Sequence, residues 1–436
     1  MTTSRNQVIL NEMLSLISRY RTRILVSLFF GMGLSILGLS LITPHAHGEA
    51  SPSHLPTSYH PEIHSALSSP SLQTRIRFWK DIYSKYDSQT GVIHDSKYID
   101  KIYDVVDLRS RVGKPSQIIK QEKEKWRKAL KSLHARQKQG LPPEGPEQEK
   151  IVALYSDITD SQRFLDASHR RRLRWQPGQK DHFLAGLARS GRWLPMMEDE
   201  FRKAGVPVEI TRLPFVESSF NLKARSKVGA SGVWQFMRST GKNYLRINAW
   251  LDERNDPLQA TRAAAQLLKQ NYASLESWPL AITAYNHGRQ GMMRAVRTIG
   301  SQLIEDILGQ YKSRTFGFAS GNFLACLLAA IEVEREAATL FGAIERDQPV
   351  HSFEFSVPKA VNFSDLVTAF GVDRALLVDL NPSLDPDVTR GSLFIPMGYP
   401  LRLPAQPNEP HVSAFAAAEV NWAKIPEKRM RKHPRY

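Results

Sequence analysis

Of the 436 residues only one, Cys326, is a cysteine, so no disulfide can form within the chain and the cysteine clusters of structural zinc or iron–sulfur centres are excluded. Acidic residues are in short supply: 43 Asp plus Glu face 59 Lys plus Arg, a net charge of +16. A surface of that sign favours anionic partners such as nucleic acid, membrane headgroups or acidic polymers. Several catalytic signatures are missing too. There is no G-x-x-x-x-G-K-S/T phosphate loop, no H-E-x-x-H metal site and no G-x-S-x-G nucleophile elbow. Long apolar runs are nearly absent, the exception being residues 24–42, nineteen uncharged positions behind Arg5, Arg19, Arg21 and Arg23.

That exception reads as an export signal. A basic flank before an apolar core directs the chain across a membrane, and the positive-inside rule puts residues 50–436 on the outer side. Residues 1–48 are therefore expected to be either a cleaved signal sequence or a retained membrane anchor, the run being long enough to span a bilayer. No cysteine stands near its end, so a lipid-modified amino terminus is excluded. Export also removes most of the case for nucleic acid as the anionic partner.

With 42% hydrophobic residues the chain has material for a sizeable core, and about 150 residues per domain predicts two or three domains. Residues 49–74, rich in Ser, Pro and His, read as a flexible linker. Apolar residues at helical spacing from Ile76 to Leu108 predict a helical amino-terminal extension over 75–177. Within it the run Arg170-Arg171-Arg172-Leu173-Arg174 reads as a solvated helix face rather than a nucleic-acid patch. Residues 178–345 read as consecutive helices (178–190, 193–204, 207–219, 232–245, 257–274, 277–287, 290–299, 303–310 and 318–341), with Asp256-Pro257 as a helix start and Gly205, Gly288 and Gly300 as stops. Residues 350–404 predict a β-α-α-β module, with strands at 351–357 and 392–396 and helices at 363–370 and 373–380. The basic stretch 405–436 reads as a disordered tail.

One carboxylate stands in unusual company. Glu217 lies in Arg212-Leu213-Pro214-Phe215-Val216-Glu217-Ser218-Ser219-Phe220-Asn221, an otherwise apolar and uncharged stretch. Desolvation there would raise its pKa toward the range in which it delivers a proton near neutral pH. The alternative is a structural glutamate that caps amides or pairs with Arg212. Next comes Ser226-Lys227-Val228-Gly229-Ala230-Ser231-Gly232, a turn of small residues where backbone can approach a ligand closely. Val233-Trp234-Gln235-Phe236-Met237 then reads as a helix presenting an indole for stacking and an amide for hydrogen bonding. Thr283-Ala284-Tyr285-Asn286-His287-Gly288 ends a later helix with a phenol beside an amide, though taken singly Trp234 and Tyr285 read as core residues rather than site.

In this order and spacing these segments resemble the lytic transglycosylases that cleave peptidoglycan, with a goose-lysozyme-like domain and the closest likeness to the membrane-bound lytic murein transglycosylase D group. The resemblance implies a mainly α fold with a lysozyme-like catalytic domain over 178–345. It implies that Glu217 is the catalytic acid/base, that Ser226 hydrogen-bonds near it, and that Gln235, Tyr285 and Asn286 line the substrate groove. Arg238 stands where the family commonly has proline, and Leu324 comes after Asn322-Phe323 where a tyrosine is common.

Between 205 and 300 the other carboxylates are Glu209, two helical turns back, and Asp252, Glu253, Asp256 and Glu276, in charged loop or helix-end contexts that suit capping. A single acid/base requires the substrate to supply the nucleophile. The resemblance implies that the muramoyl N-acetyl group does so and that the sugar's 6-hydroxyl then closes a 1,6-anhydro ring. No water, cofactor or metal is implied. The implied partners are peptidoglycan glycan strands, plus the cytoplasmic membrane if the amino-terminal segment is retained. A goose-type hydrolase and an inactive wall-binding scaffold are the alternatives.

The carboxy-terminal module resembles a degenerate LysM domain, through Phe355-Ser356-Val357, Phe363-Ser364-Asp365-Leu366, Asn381-Pro382-Ser383-Leu384 and Leu393-Phe394-Ile395-Pro396. The usual Gly-Asp-Thr is replaced by the neighbourhood Lys359-Ala360-Val361-Asn362. The implied location is the periplasm or cell envelope.

Overall fold

The computed structural model describes residues 59–405. The amino-terminal apolar run, residues 49–58 of the expected linker and the basic tail beyond 405 lie outside the described residues. Among the described residues no helix is long and apolar enough to cross a membrane.

The helical domain begins earlier than its sequence suggests. Residues 61–74, expected in a tether, belong to α1 (Pro61–Ser68) and α2 (Pro70–Ser84). Each helix takes its proline at the first turn, where a missing N–H costs nothing. Ile63, Leu67 and Leu72 are buried in the main core. Composition hid this, because Ser and Pro around two short helices resemble a linker while the 63, 66, 67 spacing of the buried face passes unnoticed.

The stretch expected as a helical extension instead contains a sheet. Strands β1 (Thr90–Asp95), β2 (Ile102–Asp107) and β3 (Leu173–Pro177) pair antiparallel in the order β2-β1-β3. Helices α3 (Pro115–Lys138), α4 (Gly145–Leu154) and α5 (Arg163–Ala167) complete this unit, which has its own core around Ile93, Tyr103, Trp126, Tyr155 and Phe164. A register shift at Ile93/His94 breaks the pairing of β1 with β2, and with it the period-two alternation by which β2 would be recognised. The arginine run is a turn leading into β3, with Arg170 and Arg171 exposed, and not a helix face.

The expected helices at 178–190 and 193–204 are one, α6 (Lys180–Ala204), which carries Pro195 inside it and stops at Gly205 in the left-handed region. Gly191, in the expected gap between the two, is a close approach: a Cβ there would lie 2.4 Å from the carbonyl oxygen of Asp347. After a 3-10 turn at Val208–Arg212 come α7 (Leu213–Glu217) and α8 (Arg238–Gly241). Then come α9 (Pro257–Leu275), α10 (Trp278–His287), α11 (Arg289–Ile299), α12 (Ile304–Gln310), α13 (Phe318–Arg335) and α14 (Ala337–Phe341). Asp256 caps α9 by accepting from the Leu258 and Gln259 amides, both at 2.9 Å. Almost every side chain of α13 from Asn322 to Glu334 is buried, which makes it the central helix, with α2 packed along it.

The last unit contains β4 (Ser352–Ser356), β5 (Val361–Asn362), α15 (Phe363–Phe370), α16 (Arg374–Leu380), α17 (Pro386–Thr389), β6 (Phe394–Ile395) and β7 (Pro400–Pro404). The partner of β4 is β7; the expected strand at 392–396 is reduced to β6, which pairs with β5. Buried Arg402 of β7 reaches across to Asp256, and the Asp252 amide donates to the Ser383 carbonyl at 2.7 Å. The unit is thereby fastened to the loop that starts α9.

Candidate active site

Glu217 is the last residue of α7, where the chain leaves the helix through two non-glycine residues in the left-handed region, Ser219 (φ 51°) and Phe220 (φ 56°). Such conformations cost of order 1–3 kcal/mol each and persist only when their surroundings hold them. Here Arg189 of α6 donates to the Ser219 carbonyl from Nε (3.0 Å) and Nη2 (2.6 Å), and the Phe220 ring is buried against Phe215. Ser218 Oγ donates to the Val233 carbonyl at 2.8 Å, tying this corner to the next loop.

The Glu217 carboxyl has no hydrogen bond or ion pair with any described residue, and burial pushes its pKa up to about 8. Arg212, its expected structural partner, is engaged elsewhere. Fully buried, it bonds Glu198 of α6 at 2.5 Å and Glu334 of α13 at 2.6 Å. Burial opposes the guanidinium's charge, the two carboxylates outweigh it, and the pKa of Arg212 is raised.

The other carboxylates of this region are accounted for. Glu209 accepts from the His60 amide, Asp252 pairs with Arg254, Glu253 with Arg246, and Asp256 caps α9 and pairs with Arg402. Glu276 is an exposed residue at the end of α9.

The loop expected to open a helix at 232 is a set of turns and isolated bridges, Arg225 with Ser231 and Ser231 with Phe236. Trp234 is a core residue and no stacking platform: it has no exposed surface, stacks on Phe201 and donates through Nε1 to Thr261 Oγ1 at 2.8 Å. Gln235, with φ 48°, spends its amide nitrogen on the carbonyls of Gly232 (2.8 Å) and Ala224 (3.1 Å). The Ser226 hydroxyl accepts from the Ala230 amide at 2.9 Å and makes no bond to Glu217. Tyr285 Oη donates to the Trp234 carbonyl at 2.7 Å, so the end of α10 is fixed to the same loop. Asn286 is exposed and accepts from Ser320 Oγ of α13 at 2.9 Å.

Three segments thus converge around one carboxyl. Tyr285, Tyr83 of α2 and Cys326 of α13 all lie close enough to feel the charge of Glu217. Burial, and after it the nearby Glu217 charge, holds the Tyr285 phenol well above its usual value. Sequence reading missed Tyr83, Arg189 and Arg254, the last of which donates to the carbonyls of Gly229 (2.8 Å) and Phe236 (3.2 Å). No local pattern marks them, because each acts on a segment at least 18 residues away.

Gly232 gives this loop its tightest constraint. Its φ is 77° and a Cβ would lie 1.8 Å from the Arg254 carbonyl oxygen. Gly232→Ala should therefore destabilise the protein by at least about 2 kcal/mol, read as a lower denaturant midpoint in equilibrium unfolding.

Residues 196–308 match the family Transglycosylase SLT domain. Over 101 residues the chain is 36% identical to the membrane-bound lytic murein transglycosylase D of Escherichia coli K12, covering 23% of this chain and 22% of that protein. Over 114 residues it is 33% identical to a putative tributyltin chloride resistance protein of an Alteromonas species, covering 26% of this chain and 55% of that one. The chain thus spans about a fifth to a half of the length of these relatives. Among solved structures, the 70 kDa soluble lytic transglycosylase of Escherichia coli aligns at 17% identity and a TM-score of 0.28, over 52% of this chain and 45% of that one. Among the described residues no group of three His, Cys, Asp or Glu could hold a metal ion.

Proposed function

We propose that this chain, which carries a transglycosylase SLT domain at residues 196–308, is a lytic transglycosylase of peptidoglycan with Glu217 as its single acid/base. The observation that carries the reading is a lone carboxyl with no counter-ion, pushed up to about 8. Roughly nine in ten copies hold a proton at pH 7, the state a general acid needs. In this reading Glu217 protonates the oxygen between N-acetylmuramic acid and N-acetylglucosamine while the muramoyl N-acetyl carbonyl attacks the anomeric carbon. Glu217, now a base, takes the proton of the 6-hydroxyl, whose oxygen displaces the acetamido group and closes the 1,6-anhydro ring. Engagement of the neighbouring carboxylates supports a substrate-derived nucleophile, because no second carboxylate is free beside Glu217 among the described residues.

Asn286 and the half-buried Tyr285 are assigned to the groove wall, where an exposed amide suits an N-acetyl group. Gln235 and Ser226 shape the loop. Amino-terminal export, a cell-envelope location and membrane attachment through residues 24–42 complete the proposal, supported by the similarity to a membrane-bound relative. The helices α15 and α16 enclosed between the strand pairs β4–β7 and β5–β6 support a LysM-like, glycan-binding role for residues 350–404.

Mass spectrometry of muropeptides released from purified sacculi tests the reaction. The expected products carry anhydro ends, lighter by one water than hydrolytic ends. Hydrated ends alone would make the protein a lysozyme-type hydrolase, and no released product would make it a binding scaffold.

A further inference from the structure

The arginine run at 170–174 has no part in the site around Glu217, yet it borders a cleft of about 1350 Å³ between the amino-terminal sheet unit and α12–α13. Six cations of the lining, Arg75, Lys97, Lys131, Arg170, Arg171 and Lys312, have no acidic partner among the described residues, and Asp166 is the one carboxylate there. Other cations of the same cleft are matched: Arg127 pairs with Glu124 and Arg172 with Asp95.

Arg75 is half-buried and bonds only the neutral Asn322 Oδ1, at 3.0 Å, and desolvation holds its pKa below the usual value. A second cavity of about 440 Å³ shares Arg127 and Arg170 with the first and continues along α3 past Lys120 and Lys123. Burial and then the charge of Arg174 hold Lys123 below its usual value. Cations gathered without counter-ions in a concave surface repel one another, and an anion bound there relieves that repulsion.

Aromatic faces accompany the charge. Tyr98, Tyr311, Phe316 and Phe318 line the cleft half-buried, which suits pyranose rings bearing carboxylates. The cleft also adjoins the candidate site. Ser320, bonded to Asn286, precedes the lining residues Gly321 and Asn322, and the Phe316 ring packs edge-on against His287 at 4.9 Å.

We propose that this cleft is an accessory site for a carboxylate-bearing glycan strand, holding a stretch of the same polymer that is cut at Glu217. The proposal rests on the transglycosylase reading for the identity of the polymer. Its test uses the full chain with Glu217→Gln to prevent digestion, comparing Lys131→Gln/Arg170→Gln/Arg171→Gln with the otherwise unaltered protein. The probes are native sacculi, sacculi with their carboxylates amidated, and anionic phospholipid vesicles. The unaltered cleft should bind native sacculi about tenfold more tightly than amidated ones at low ionic strength, and the triple variant should lose that preference. About 0.5 M salt should erase it too.

The charge-preserving Lys131→Arg/Arg170→Lys/Arg171→Lys variant should keep it, so that loss from misfolding is told apart from loss of charge. An unchanged preference in the triple variant would overturn the proposal. So would its loss of vesicle binding with sacculus binding intact, which would assign the cleft to phosphate headgroups. Failure of the transglycosylase reading is seen separately, in the products of the wild-type protein.

Discussion

Glu217→Gln should lower the release of anhydro-muropeptides by about 10³-fold, the usual scale for removing a general acid/base, measured on purified sacculi beside the wild type. Glutamine keeps the shape of the side chain and removes its proton, so binding to sacculi should persist. The same substitution has a stability signature. Glu217 moves from an ordinary value of 4.5 to about 8 on folding, so the folded state binds this proton more tightly than the unfolded chain. Its contribution is fully present below pH 4.5 and is lost as pH rises through 8. Glu217→Gln should therefore match the wild type near pH 4 and exceed it near pH 9 by about 2 kcal/mol, discounted because water reaches part of the half-buried carboxyl. Wild-type activity should decline over the same alkaline interval. A stability difference that did not vary with pH would remove Glu217 from the set of desolvated carboxyls, and unchanged activity would end its catalytic role.

Arg212→Met should be the most damaging substitution for stability, by about 3 kcal/mol or more. It strips buried Glu198 and Glu334 of the guanidinium that bridges α6 and α13, leaving them with Arg202 and Arg346, at 3.0 and 3.3 Å. Arg212 directly precedes α7, so the position of Glu217 depends on this bridge as well. Equilibrium unfolding should show a lower midpoint at unchanged slope. Adding Glu198→Leu and Glu334→Leu should recover much of the loss, because a buried charge cluster replaced as a whole by apolar side chains is often neutral. If the triple variant were no more stable than Arg212→Met, packing rather than unpaired charge would be the cause.

The two effects are linked. From sequence, pairing with Arg212, five positions away, stood as part of the structural alternative for Glu217. The fold sends its guanidinium to α6 and α13 instead, leaving Glu217 without a counter-ion. Trp234 met the opposite fate: an indole suited to a sugar face is buried against Phe201, and its backbone carbonyl, not its ring, serves the site by anchoring Tyr285. The helices of 257–310 were legible to within a residue or two, because caps such as Asp256 and Ser277 and stops such as Gly300 act within a single turn. The sheet unit was not, because the register shift in β1–β2 removes the alternation that marks a strand.

Sequence by itself determined the mainly helical middle of this protein, the excess of positive charge and the candidacy of Glu217. The helices depend on neighbours within a few residues, where spacing and capping act directly, the charge is a matter of composition, and the candidacy of Glu217 rests on its apolar surroundings together with the order and spacing of the segments after it. Only the tertiary structure decided which charges are paired. It brought Tyr83 of α2 close to Glu217, gave Arg212 to Glu198 and Glu334, and left six cations of the basic cleft without acidic partners among the described residues. Burial and ion pairing depend on distances in space between residues up to 256 positions apart, and nothing in the local pattern records them.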